Sequence, residues 1–76
     1  MSSDPTITIL RAMLGPWCDH LHIQRVDEQV GYPGGSYWNR QIVVTGDGKT
    51  ERYDALMTEA QPLVTATEIM RTWVRQ

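Results

Sequence analysis

Phenylalanine is absent from this 76-residue chain, and cysteine and lysine occur once each, as Cys18 and Lys49. A lone cysteine excludes an internal disulfide, so the chain lacks the staple on which small secreted domains rely. No stretch approaches the roughly 18 unbroken apolar residues of a membrane span, because charges and prolines interrupt every candidate. The start, "MSSDPTITIL", has neither the basic opening nor the long apolar run of a signal peptide. Together with the free thiol, this predicts a cytoplasmic protein with no membrane partner. Charge of one sign is also missing: nine acidic against seven basic residues favour neither nucleic acid nor an anionic membrane.

What is present fits one small domain over residues 1–76. At this size folding buries only about three fifths of the chain's surface, and the core is thin enough to need a metal or a covering partner. Six of the seven basic residues are Arg, which suits bidentate pairing at interfaces. Tyr and Trp supply all six aromatics, so every large ring carries a polar handle and suits a boundary between core and surface.

Four segments carry structural signals. Asp4 as N-cap, Pro5 at the first helical position and Gly15-Pro16 as a stop predict a short helix over 5–14, with Ile7, Leu10, Met13 and Leu14 on one face, although "TITIL" would also serve a strand. "SYWNRQIVVT" and "KTERYDA" around "GDG" predict a hairpin over about 37–54. Its Trp38, Arg40, Ile42 and Val44 share the likelier core face by alternation. "HLHIQRV" can add a third strand, joined through a loop "DEQVGYPGGS". Thr65 and Glu68 match a capping box at the head of a C-terminal helix, whose Ile69, Met70, Trp73 and Val74 form an apolar stripe. "DALMTEAQP" is expected to make one or two turns ending before Pro62. The fold class predicted is α+β: a small antiparallel sheet of two to three strands packed by the C-terminal helix and by a short N-terminal one.

Three candidate sites follow. Cys18, His20 and His22 would project from one face of a strand, and thiolate with imidazole is zinc-ligand chemistry. A fourth ligand is missing from the sequence nearby, and a half-exposed strand explains the same residues. A helical segment would keep only Cys18 and His22 together. A catalytic Cys18 lacks an orienting third group. Val30, Tyr32, Tyr37 and Trp38 flank a glycine-containing loop beside Arg40, the composition of a protein-binding hot spot. The same rings could stack bases if Arg25, Arg40 and Arg52 made a basic groove. Met70, Trp73 and Val74 could pack a homodimer or simply a core. "GDGKT" ends like a phosphate-binding loop, but the glycine that would open such a loop is Val43, and strand follows where a helix is needed, so it reads as a turn.

These features predict a non-enzymatic, cofactor-free interaction module that binds another protein, with zinc binding and single-stranded nucleic-acid binding as alternatives. In size and mild acidity the chain resembles small phage-encoded inhibitors, anti-CRISPR proteins among them. That resemblance rests on no motif and implies only a mode of action, occlusion of a functional surface on a host macromolecule.

Overall fold

The computed structural model describes residues 4–74. Helix α1 (Pro5–Leu14) leads through a 3-10 turn at Gly15–Cys18 into strands β1 (His22–Tyr32), β2 (Gly35–Gly46) and β3 (Lys49–Asp54), followed by helices α2 (Ala55–Ala60) and α3 (Pro62–Trp73). The strands form one antiparallel sheet in the order β1-β2-β3. The α+β expectation holds, with the helices packed on one face of the sheet.

Local chemistry sets most element ends. The Asp4 carboxylate accepts from the Thr6 amide at 2.9 Å and caps α1, Pro5 opens it, and Gly15 closes it at φ 68, a conformation that costs a residue without Cβ little. Asp47 and Gly48, both at positive φ, make the two-residue turn between β2 and β3. Asp54 ends β3 and caps α2 by accepting from the Met57 amide at 3.0 Å.

Two predicted boundaries move. Helix α3 begins at Pro62, three residues before the capping box expected at Thr65. Thr65 is instead buried inside the helix, with its hydroxyl 2.7 Å from that of Thr58, which also donates to the Asp54 carbonyl at 2.8 Å. A proline needs no amide partner at the first helical position, and the Thr58 hydroxyl takes the Thr65 side chain away from any capping role. Similarly, "DEQVGYPGGS" is strand rather than loop: β1 and β2 stay in register from His22↔Thr45 to Tyr32↔Gly35, turning only at Pro33-Gly34. Every added cross-strand pair satisfies backbone groups that a loop would leave to water.

The core lies between sheet and helices. Ile23, Ile42 and Val44 from the sheet meet Leu10 and Leu14 of α1, Cys18 and Leu21 of the connection, Ala55 of α2, and Ala66, Ile69 and Trp73 of α3. Ile7 packs against this cluster as expected, whereas Met13 turns outward. Leu21 lies so close to Gly46 that a β-carbon there would fall 2.3 Å from Leu21 Cδ2. Arg25 ties three elements together, reaching Asp4 ahead of α1 and Glu59 of α2, the latter at 2.8 Å.

Candidate functional site, the projecting ribbon

Strand β3 pairs β2 only from Gly46 back to Gln41, where Asp54 is its last residue. Beyond that point β1 and β2 continue alone for six pairs, from Asp27↔Arg40 to Tyr32↔Gly35. At about 3.3 Å per residue this ribbon projects about 20 Å. It accounts for the elongated outline, 46 × 27 × 23 Å. None of residues 27–40 is buried.

Alternation distributes its side chains. Ile42 and Val44 face the helices, so Trp38 and Arg40 lie on that side of β2, and Tyr37 and Asn39 lie on the open side. Trp38 therefore does share a face with Ile42, as the sequence predicts, but it stands beyond the helices and remains 55% exposed. Its indole carries the Arg40 guanidinium 5.9 Å from the ring centroid, although Asp27 is the cross-strand neighbour of Arg40. On the open face Tyr32 and Tyr37, diagonal neighbours across the strands, place their ring centroids 6.2 Å apart at 45°. The Tyr32 ring lies over the turn, where a β-carbon on Gly34 would come within 3.2 Å of it. Both tyrosines are more than half exposed.

The ribbon thus holds Tyr32, Tyr37, Trp38 and Arg40 within one projection but on two opposite faces. At its root, Trp38, Asn39, Arg40, Asp54 and Leu56 line a cavity of about 300 Å³. Leu56 was not singled out by sequence reasoning, nor were Trp17, which is 70% exposed, or Leu63. The signal available was that "ALMTEAQPLV" has more apolar residues than two short helices can turn inward. Met57, Leu63 and Val64 are all exposed around the corner between α2 and α3.

The other predicted sites separate. Cys18 closes the 3-10 turn and is buried, and burial pushes its thiol above the usual range. His20 precedes β1 and meets the Asp47 carboxylate at 2.9 Å, whereas His22 opens β1 and meets the Gln24 amide oxygen at 3.2 Å. The single strand face expected to carry all three is not formed, because the chain is helical through Cys18 and becomes strand only at His22. Among the described residues no three His, Cys, Asp or Glu side chains are grouped to hold a metal ion.

The three arginines invoked for a basic groove also part company. Arg25 is engaged by Asp4 and Glu59, Arg40 lies on the helix side of the ribbon, and Arg52 lies on the open face, donating to Gln41 at 3.3 Å. Of the C-terminal stripe, Trp73 belongs to the core and donates its indole N–H to the Gly46 carbonyl, while Met70 and Val74 are half-buried beside Thr67 and Arg71. No helix among the described residues is long and apolar enough to cross a membrane. No family model matches the chain, and neither a curated protein nor a solved structure matches it.

Proposed function

We propose that this chain is a protein-interaction module that engages its partner with the projecting ribbon and acts by occluding a functional surface there, as an inhibitor or adaptor would. The observation that carries the reading is the exposure of Tyr32, Tyr37 and Trp38 on a ribbon that adds no buried residue to the fold. Exposed aromatics with an adjacent arginine are the residue types that dominate binding energy when a partner desolvates them. Rings held on paired strands also lose little conformational freedom on binding. The module requires no metal and no catalytic group for this action.

The nucleic-acid alternative is weaker, since base stacking on Tyr32 and Tyr37 needs cations along the same face, and among the described residues of the sheet Arg52 is the only Arg or Lys there, with Asp54 on the same face.

The test is site-specific photo-crosslinking in the native host, with the photoreactive residue at Tyr37 or, as a control on the same open face but over the helices, at Thr50. An adduct of one defined mass from position 37, absent from position 50 and competed away by unmodified chain, is the expected result. Equal labelling from both positions, or an adduct that Trp38→Ala and Tyr32→Ala leave intact, removes the ribbon from the account.

A further inference from the structure

The solvent side of the helical layer combines exposed apolar residues with little free charge. Helices α1 and α3 pack side by side and run parallel. Asp4 and Glu59, ahead of their first turns, meet at Arg25, and beyond their last turns Leu21 and Trp73 converge on Gly46. Leu10 and Leu14 turn one face of α1 inward, as Ile69 and Trp73 do for α3. The helical period then makes Pro5, Thr8 and Ala12 the outer crest of α1, and Val64, Thr67 and Arg71 that of α3. Ile9, Met13 and Leu63 are exposed beside these crests, as is Trp17 in the turn that follows α1. Apolar surface gathered in this way marks an interaction site.

The charges of this layer are already engaged within the chain. The three helices contain four charged residues, Arg11, Glu59, Glu68 and Arg71. Arg11 donates to the Leu21 carbonyl at 2.7 Å, Glu59 meets Arg25 at 2.8 Å, and Glu68 meets Arg71 at 2.9 Å. From Pro5 to Trp17 no exposed residue is charged. The strands have the reverse composition, with Asp27, Glu28 and Arg40 exposed on the ribbon and Glu51 and Arg52 exposed on β3.

We propose that a second copy of this chain covers the layer, the two sets of helices stacking face to face about a two-fold axis that lies in the contact plane, across α1 and α3. An interface between identical patches sets each region against its own copy, and a face whose charges are paired internally can meet itself without opposing like charges. Its size also suits a dimer. With the ribbon set aside the body is about 25 Å on a side, close to the roughly 800 Å² that each partner gives to a stable interface. The axis makes the facing helices antiparallel, so their dipoles attract. Small residues on the crests let the two layers approach, which covers Ile9, Met13 and Leu63. The two ribbons leave in opposite directions, with Tyr32, Tyr37 and Trp38 outside the contact. This surface goes beyond the ribbon reading and uses none of its residues, so either can fail without the other.

Sedimentation equilibrium of the full chain from about 1 μM to about 1 mM tests this, with circular dichroism to verify folding of each variant. The wild type is expected to approach twice 8.7 kDa within that range. Ala12→Arg and Val64→Glu each place two unpaired charges in the contact. Both suit their own helices, a cation in the last turn of α1 and an anion in the first turn of α3, so the monomer keeps its fold. Each is expected to weaken association tenfold or more. Thr50→Arg, on the open face of the sheet, is expected to leave it unchanged. A folded wild type that stays monomeric to the top of the range overturns the proposal and leaves the layer to a different protein. So does a dimer that Ala12→Arg or Val64→Glu leaves intact, or one that Thr50→Arg disrupts.

Discussion

The Trp73 indole Nε1 donates to the Gly46 carbonyl oxygen at 2.9 Å, joining the last turn of α3 to the end of β2 across 27 residues of sequence. Lys49 completes the lock, its ammonium 5.5 Å from the Trp73 ring centroid and donating to the Thr72 carbonyl at 2.9 Å. Trp73→Phe keeps most of the buried ring but loses the bond to that carbonyl, which retains its partner across the β2–β3 turn, so it is expected to cost about 1 kcal/mol in urea unfolding. Trp73→Ala, which also empties the site, should cost about 3–5 kcal/mol.

Gly46 is tested from the other side. An alanine there would stand 2.3 Å from Cδ2 of the buried Leu21, which must shift within the core to admit it. Gly46→Ala is expected to destabilise by about 1–3 kcal/mol. Gly48→Ala, at φ 76 with open space around it, should cost about 1 kcal/mol through backbone strain alone.

Asp4 predicts a response to acid. The hydrogen bonds from Arg25 hold its carboxyl below the ordinary value of 3.8, outweighing the opposing effect of burial. With the folded value depressed, its contribution is fully present above the unfolded value and is lost as pH falls through the folded one. Asp4→Asn keeps a competent N-cap but no charge, so it is expected to lower stability at neutral pH by about 1–2 kcal/mol. The difference between variant and wild type should shrink below pH 3.8, which thermal unfolding across the acid range will show.

The ribbon aromatics make the opposite prediction. Trp38→Ala and Tyr37→Ala remove side chains that contribute nothing to the core, and each is expected to change stability by less than about 1 kcal/mol. The measurement is urea unfolding followed by circular dichroism. A loss as large as that of a core truncation would mean that the ribbon is packed against the body and is not free to bind.

Helix α1, the hairpin of β2 and β3 and the third strand were legible from the sequence because each announces itself locally. Asp4, Pro5 and Gly15 mark one helix, and Asp47-Gly48 marks one turn. The half of the ribbon from Asp27 to Ser36 reads as a loop because Asp27, Glu28, Gly31, Pro33 and Gly34 are poor strand formers, whereas the pairing that holds them comes from the opposite strand. The start of α3 was misplaced for a related reason. Thr65 and Glu68 have the spacing of a cap, but the Thr65 hydroxyl is committed to Thr58, a contact visible only once α2 has folded back on α3. The residues proposed for binding were found by composition. Their division between two faces required the register.

Residues 27–40 supply no buried side chain, while the cluster around Leu10, Ile42 and Ile69 supplies no exposed one. On the proposed reading, selection for folding and selection for recognition act on different stretches of the chain. A lineage that binds in this proposed way can exchange Tyr32, Tyr37 or Trp38 as its target changes without having to re-invent its interior, and its sequence divergence should concentrate at the ribbon tip.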